Sequence, residues 1–211
     1  MFYPKLSRQD KYDLKDEEDE ESFYHYSHYR QIIETDCLNR CVYCDVLLNE
    51  HAFEGMHLDH FRPQKHFSQL SSNPRNLVLT CPKCNRLKSC HWPCEKELNK
   101  PSHNGKDGFV DPFIEELNTY VKIEIDGEIT PLRGPAPYFI ALLRLNRLSR
   151  IQVRRRRILT MQKAELNAKI SKISDDLIDG LISGEVSKED ALKIRDALSV
   201  IKEEYAKIAL P

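Results

Sequence analysis

The sequence predicts an α+β fold in which a metal-stapled module is followed by a β-hairpin and a helical C-terminal region. Two C-x-x-C pairs enclose a 36-residue segment, an Asp-Gly turn joins two alternating segments near residue 126, and residues 137–211 carry long helical patterns. The 211-residue chain is 40% hydrophobic and 31% charged, which is typical of a globular protein. The composition therefore excludes a fibrous or largely disordered chain.

The first 36 residues form an N-terminal arm and a helix in this prediction. Residues 10–21 contain eight acids and two lysines, so we expect residues 1–21 to be a mobile or loosely attached arm. The arm is either a solvated tail or a shield over a basic groove. In residues 22–36, aromatic side chains recur at three to four residues, which predicts a helix leading into the first cysteine pair.

All seven cysteines fall within residues 37–94. The pairs Cys41/Cys44 and Cys81/Cys84 have the spacing of two zinc knuckles, and together they predict a closed, structural four-thiolate site for Zn²⁺. A redox dithiol is the alternative, but it would require a thioredoxin-like context that this sequence lacks.

Three cysteines lie outside the knuckles. We expect Cys37, Cys90 and Cys94 to be buried free thiols. Two alternatives stay open from the sequence: a second metal site around Cys90 and Cys94, or replacement of a knuckle cysteine by Cys37 or Cys90.

Between and after the knuckles the chain reads His57-Leu-Asp-His-Phe-Arg-Pro63 and then Asn76 to Lys88. The order of C-x-x-C, Asp59-His60, Asn76, C-x-x-C and Asn85 resembles the HNH endonuclease family. The resemblance covers residues 37–94 and implies a ββα-metal core whose helix begins near Asn85. It also implies hydrolysis of phosphodiester bonds in nucleic acid, with DNA favoured and RNA possible.

The family resemblance also implies roles for individual residues. His60 would be the general base, Asn76 would pin the loop that orients it, and Asp59 and Asn85 would hold a catalytic cation. An amide ligand at Asn85 favours Mg²⁺ or Mn²⁺ over zinc. Arg62 and Lys88 are candidate phosphate contacts or else ordinary surface cations. The remaining histidines of this region are expected to be structural or surface residues: His57, His66 and His91.

Residues 95–135 are expected to be a loop followed by a β-hairpin. Residues 120–125 alternate, Asp126-Gly127 is a strong hairpin turn, and residues 128–130 resume the strand.

Residues 136–211 are expected to be helical. The pattern over residues 137–170 has no internal breaker, Gly180 and Gly184 interrupt the next part, and Ser187 begins a last helix that extends through about Ile208.

Residues 141–157 contain seven arginines and no acid, although the net charge of the chain is −1. In a continuous helix four of them share one face, which would bind a nucleic-acid backbone. The alternative is a solvated helix, or one that pairs with the acidic arm. The four are Arg144, Arg147, Arg150 and Arg154.

Short motifs downstream, including Phe109-Val-Asp-Pro112 and Leu145-Asn-Arg147, resemble small HNH proteins such as the nuclease of Septu-type antiphage defence. That resemblance implies an ABC-type ATPase partner, which would dock on the C-terminal helices. The chain carries no apolar run of membrane-spanning length and no signal-peptide pattern, so we expect a cytoplasmic protein that does not associate with a membrane. Two other function classes stay open: a zinc-stapled nucleic-acid binding module and an adaptor, both without catalysis.

Overall fold

The computed structural model describes residues 2–50 and 55–209 and divides into two compact units, the first ending at Ile151 and the second beginning at Gln152. The described residues form five α-helices and four short strands in the order α1, β1, β2, α2, β3, β4, α3, α4, α5. These are α1 (Arg30–Asp36), β1 (His57–His60), β2 (Leu77–Thr80), α2 (Pro82–Lys88), β3 (Val121–Ile123), β4 (Ile129–Pro131), α3 (Ala136–Leu142), α4 (Leu148–Ser183) and α5 (Lys188–Lys207).

The centre of the first unit is a ββα arrangement. Strands β1 and β2 are antiparallel, with Asp59 opposite Val78 and His60 opposite Leu77. All four residues of β2 are buried, and α2 follows after Cys81 alone. Pro82 suits the first helical position because it lacks an N–H that would have no partner there. The helix thus begins at Pro82, three residues earlier than the sequence indicated.

The N-terminal residues pack onto this unit. Tyr3 and Leu6 are buried, and the Tyr3 hydroxyl donates to the backbone oxygen of Tyr43 at 3.0 Å. Arg8 donates to the backbone oxygen of Pro74 at 3.2 Å. The expectation of a loosely attached arm was wrong for these residues, because it weighed the acidic run and not the apolar side chains before it. The acidic run itself, residues 10–21, contains no buried residue.

Residues 22–36 also differ from the expectation of a single helix. A 3₁₀ turn covers Tyr26–Tyr29, and α1 covers Arg30–Asp36. The Tyr29 side chain is buried and its hydroxyl donates to the backbone oxygen of Asp13 at 2.7 Å. This contact attaches the chain before the first knuckle to the acidic segment.

The hairpin expected around Asp126-Gly127 is present. Strands β3 and β4 pair in antiparallel register, and Gly127 has φ 92°, a value that a side chain would disfavour. The Asn146 side chain accepts from the N–H of Ile129 and donates to its carbonyl, both at 2.8 Å. The hairpin is thereby fixed to the connection between α3 and α4.

The uninterrupted helix expected over residues 137–170 was wrong. Helix α3 ends at Leu142, Arg144 has φ 48°, and α4 begins at Leu148. Leu143 and Leu145 are both fully buried. Two residues that are two positions apart point about 200° apart on a helix, so a helical backbone could not direct both into one core.

In the second unit, the rest of α4 and α5 form a helical hairpin. Lys163 donates to the backbone oxygen of Ile208 at 3.3 Å, so the C-terminal end of α5 lies beside the middle of α4. Helix α4 passes through Gly180 and ends before Gly184, which has φ 76°. Ser187 caps α5 by accepting from the N–H of Asp190 at 3.1 Å, as the sequence predicted.

None of the helices in the described residues is long and apolar enough to cross a membrane.

Candidate active site and metal centre

The two C-x-x-C pairs converge on one point. The sulfur atoms of Cys41, Cys44, Cys81 and Cys84 all lie within 4.8 Å of one another, and all four residues are buried. The Cys44 and Cys81 sulfurs are 3.7 Å apart. A tetrahedral Zn²⁺ with Zn–S bonds of about 2.3 Å requires sulfurs about 3.8 Å apart, so the cluster fits such an ion.

Local backbone geometry holds the cluster in place. In the first knuckle the N–H of Cys41 donates to Val46 and the N–H of Asp45 donates back to Cys41, both at 2.9 Å. In the second knuckle Cys81 is the N-cap of α2, and Cys84 lies in the first turn of that helix. Each pair of sulfurs is thus presented by a turn whose hydrogen bonds are already formed.

The other three cysteines lie apart from the cluster. Cys37 is buried, its sulfur accepts from the N–H of Leu79 at 3.3 Å, and burial raises its pKa to about 12. Cys90 and Cys94 are half-buried. Among the described residues no second group of metal-ligand side chains converges, so the geometry favours neither a second site nor an exchanged knuckle ligand.

Arg147 lies directly against the cysteine cluster. Its Nη2 atom is 3.8, 3.6 and 3.7 Å from the sulfurs of Cys44, Cys81 and Cys84. Burial alone would lower the pKa of this guanidinium, but the thiolates raise it. The same balance raises the pKa of Arg150, which is also buried. The two arginines therefore offset the negative charge that four thiolates carry.

Asp59 lies on the face of β1 that packs against α2. It is 7% exposed, its Oδ2 atom is 3.0 Å from the Nζ atom of Lys88, and it accepts from the Tyr43 hydroxyl at 3.1 Å. Burial raises the pKa of Asp59, although the neighbouring Lys88 acts in the opposite direction. Lys88 is fully buried and also donates to the backbone oxygen of His60 at 2.8 Å. It thus joins both members of the Asp-His pair.

His60 is half-buried, and its Nε2 atom lies 2.8 Å from the backbone oxygen of Ser71. A carbonyl oxygen only accepts, so Nε2 must carry the hydrogen in that contact. In the neutral ring the Nδ1 atom then holds the free lone pair. The described residues give Nδ1 no hydrogen-bond partner, so this side of the ring can accept a proton.

Asn76 holds the segment that carries Ser71. Its Oδ1 atom accepts from the N–H of Arg62 at 2.8 Å, and its Nδ2 atom donates to the Arg62 carbonyl at 3.0 Å. A longer contact of 3.5 Å reaches the carbonyl of Leu70. Through these bonds Asn76 holds together the two chain segments that flank His60, which is the role expected of it.

His57 has a contact that the sequence argument missed. The Nδ2 atom of Asn85 lies 3.3 Å from the Nδ1 atom of His57, so the amide nitrogen faces the ring and the amide oxygen is directed elsewhere. The signal was available, because His57 is two residues before Asp59 and residues two apart share one face of a strand. His57 and Asp59 thus both face α2, with Asn85 beside the first and Lys88 beside the second.

The structure separates the six cations that the sequence put forward as phosphate contacts. Lys88, Arg150 and Arg154 are buried. The guanidinium of Arg62 donates to Lys100 at 2.7 Å and lies over the ring of Trp92, and that of Arg147 contacts the cysteine cluster. Arg144 alone is exposed. The break between α3 and α4 removes the common helical face on which the expectation rested.

The segment that contains the cysteine cluster and the candidate active-site residues is similar to known proteins. Residues 41–91 match the family model described as HNH endonuclease. A curated relative, "Septu protein PtuB" from Bacillus thuringiensis, is 28% identical over 85 residues. The match covers 40% of this chain and 28% of that relative's length. No solved structure matches the chain.

Proposed function

We propose, from the match of residues 41–91 to the HNH endonuclease model, that the protein is a metal-dependent endonuclease that hydrolyses phosphodiester bonds, with DNA as the favoured substrate and RNA as the alternative. One observation carries the proposal beyond family resemblance. The hydrogen bond from His60 to the Ser71 carbonyl leaves Nδ1 of a neutral imidazole ready to take a proton.

In the proposed mechanism His60 is the general base. Its Nδ1 atom accepts a proton from the attacking water while Nε2 keeps its bond to Ser71, so the imidazolium that forms is stabilised by the carbonyl. Lys88 and Asn76 act on the backbone on either side of His60 and fix the ring's position. A positioned base of this kind contributes a factor of about 10² to 10⁴ to the rate.

Asp59 and Asn85 would hold the catalytic cation. A carboxylate and an amide oxygen are hard donors, and such donors suit Mg²⁺ or Mn²⁺. The cation would stabilise charge at the phosphate and the departing oxygen. Asp59 keeps lone pairs besides those directed at Lys88 and Tyr43, so its donor chemistry fits a shared carboxylate. The cysteine cluster would hold a separate, structural Zn²⁺.

The proposal is tested by incubating the zinc-loaded protein with plasmid DNA, single-stranded DNA and a structured RNA, each with Mg²⁺, Mn²⁺ or EDTA. We expect cleavage that needs the added metal and that is lost in Asn85→Ala. Cleavage that is unaffected by EDTA would contradict the metal assignment. Cleavage of RNA alone would keep the mechanism and change the substrate.

The ion pair between Asp59 and Lys88 favours a second candidate function, a zinc-stapled nucleic-acid binding protein without catalysis. In that alternative Asp59 is an architectural residue whose charge Lys88 neutralises. Asp59→Asn tests it, because the amide keeps the shape but loses the charge. A nuclease loses cleavage and keeps binding in this variant, whereas a binding protein shows no cleavage with either residue.

The name of the Bacillus thuringiensis relative supports a place in antiphage defence, and we propose that the protein is the effector nuclease of such a system, together with an ABC-type ATPase. Exposed apolar side chains on the helical hairpin, including Ile178 and Ile182, would contact that partner.

The test is co-purification with an ATPase encoded beside the gene. Ile178→Glu with Ile182→Glu should abolish it, and Lys172→Glu on the same helix should not. Equal recovery with both proteins would refute this contact surface.

A further inference from the structure

We infer that a basic cleft beside Asn85 seats the nucleic-acid backbone through Lys83 and Arg86, so that the bound strand leaves the candidate active site along α2 and away from the N-terminal segment. The inference rests on the proposed nuclease function and specifies the path of its substrate. Neither cation was among the phosphate contacts that the sequence suggested.

The cleft is open, has a volume of about 720 Å³, and adjoins Asn85, one of the two candidate metal ligands. His57 and Asn85 line one part of it, so the cleft begins at one of the two residues that are proposed to hold the cation. Lys83, Arg86 and Ser89 of the α2 region and Ser149 at the start of α4 line the rest, together with Arg147 and Arg150. No acidic residue in the described part of the chain lines it.

Lys83 and Arg86 are the available cations of this cleft. Arg147 and Arg150 are held by the cysteine cluster, but Lys83 and Arg86 form no ion pair with described residues. Lys83 is half-buried and Arg86 is exposed. They are three residues apart in α2, which places them about 4.5 Å apart along the helix axis. Cys84 and Lys88 are the buried residues of that helix, so their neighbours on the outer face remain accessible.

The chemistry of the lining selects phosphate rather than base. Cationic and hydroxyl side chains bind phosphate oxygens, and contacts of this kind position a strand without reading its sequence. The lining contains no Phe, Tyr or Trp on which a base could stack. The expected ligand is therefore a phosphodiester backbone of any sequence.

Near His60, the lining of a second depression has a negative balance of charge. The ring of Tyr26 lies 5.5 Å from that of His60, and the neighbouring residues Tyr24 and His28 line this depression of about 900 Å³. That depression is lined by four acids, Asp10, Asp13, Glu17 and Glu20, and by two cations, Lys11 and Arg75, so its lining keeps a negative balance. Carboxylates repel phosphates, so the His60 side disfavours a strand that the Asn85 side attracts.

The test measures binding apart from cleavage. In the full-length His60→Ala protein, the affinity for fluorescein-labelled duplex DNA, single-stranded DNA and single-stranded RNA is followed by anisotropy at several salt concentrations. Lys83→Ala with Arg86→Ala should weaken binding of the preferred probe at least tenfold. Two lost phosphate contacts should also reduce the slope of log affinity against log salt by about two for a duplex.

The matched control removes two charges outside the cleft: Lys11→Ala, in the lining of the acidic depression, with Lys106→Ala, in an exposed loop. This protein should bind like its parent, and the zinc content of all variants should be equal. An unchanged salt slope in the cleft variant, or the same loss in the control, overturns the cleft and leaves the proposed function standing. Absence of binding by every protein to every probe overturns both. The probe that binds most tightly identifies the class of nucleic acid whose backbone occupies the cleft.

Discussion

At the scale of single residues, the candidate site depends on side chains that hold the reactive ones. Lys88 joins Asp59 to the backbone of His60, Asn76 fixes the loop that supplies the Ser71 carbonyl, and His57 faces the amide of Asn85. Such supporting contacts commonly change metal affinity or activity about 10- to 100-fold when they are removed.

His57 offers the clearest test at this scale. In His57→Ala the Asn85 amide loses its hydrogen-bond partner, so its oxygen is no longer held in one orientation for the proposed cation. We expect the Mn²⁺ concentration that gives half-maximal cleavage to rise about tenfold, with a smaller change in the rate at saturating metal. The measurement is a metal titration of the cleavage rate.

His91 provides the control for that titration, because it is exposed and its side chain forms no hydrogen bond or ion pair with the described residues. His91→Ala should titrate like the parent protein. An unchanged metal dependence in His57→Ala would show that the contact with Asn85 has no role in metal binding.

At the scale of elements, the sequence predicted those features that depend on local chemistry. The knuckles, the Asp126-Gly127 hairpin and the Ser187 N-cap are each specified by a few adjacent residues, and all three are present. The break at Arg144 was missed because its cause is tertiary. It arises where Leu143 and Leu145 must both reach the core, and no local helix breaker announces it.

The same break explains a contrast between two arginines that are three residues apart. Arg147 contacts three cysteine sulfurs, whereas Arg144 is exposed. In Arg147→Ala the thiolates lose a neighbouring positive charge, so we expect Zn²⁺ to pass to a colorimetric chelator several-fold faster than from the parent. Arg144→Ala should release zinc at the parental rate. Equal rates in both variants would contradict the role of Arg147 at the cluster.

Gly180 tests the packing of the helical hairpin. A Cβ atom at this position would lie 2.4 Å from the Cγ2 atom of Val186. Overpacking in Gly180→Ala should therefore lower the free energy of unfolding by about 1–3 kcal/mol. The higher helix propensity of alanine offsets up to about 1 kcal/mol of that loss.

The partner variant makes that prediction specific. In a protein that already carries Val186→Ala the Cγ2 atom is absent and the nearest atom is the Cβ of residue 186 at 3.3 Å, so Gly180→Ala should raise the melting temperature followed by circular dichroism. A stabilising effect of Gly180→Ala in both backgrounds would show that the connection between α4 and α5 moves to make room for the added methyl group, and would contradict the prediction.

At the scale of the whole molecule, the sequence indicated the HNH-like segment better than it indicated the surface around that segment. The order of Asp59-His60, Asn76 and Asn85 between and after two knuckles sufficed to indicate the family. Burial could not be deduced in the same way, because charge alone does not tell whether a cation such as Lys88 or Arg150 faces solvent or a buried anion. Lys83 and Arg86 were overlooked for the same reason.

The molecule's seven cysteines should separate into three classes. In the native zinc-loaded protein a thiol reagent should modify only the half-buried Cys90 and Cys94. A strong chelator should expose the four cluster cysteines, and denaturant should be needed for Cys37, whose pKa burial raises to about 12. The measurement is a thiol titration with zinc released in parallel. Early reaction of a knuckle cysteine without zinc release would contradict the four-thiolate assignment.

The central claim is that His60 is the general base of a metal-dependent nuclease. The most direct test measures single-turnover cleavage of a labelled substrate at saturating metal by three proteins: the parent, His60→Ala and His91→Ala. We expect His60→Ala to be slower by a factor of about 10² to 10⁴ while it binds the substrate with parental affinity, and His91→Ala to be unchanged. Cleavage by His60→Ala at the parental rate would contradict the claim.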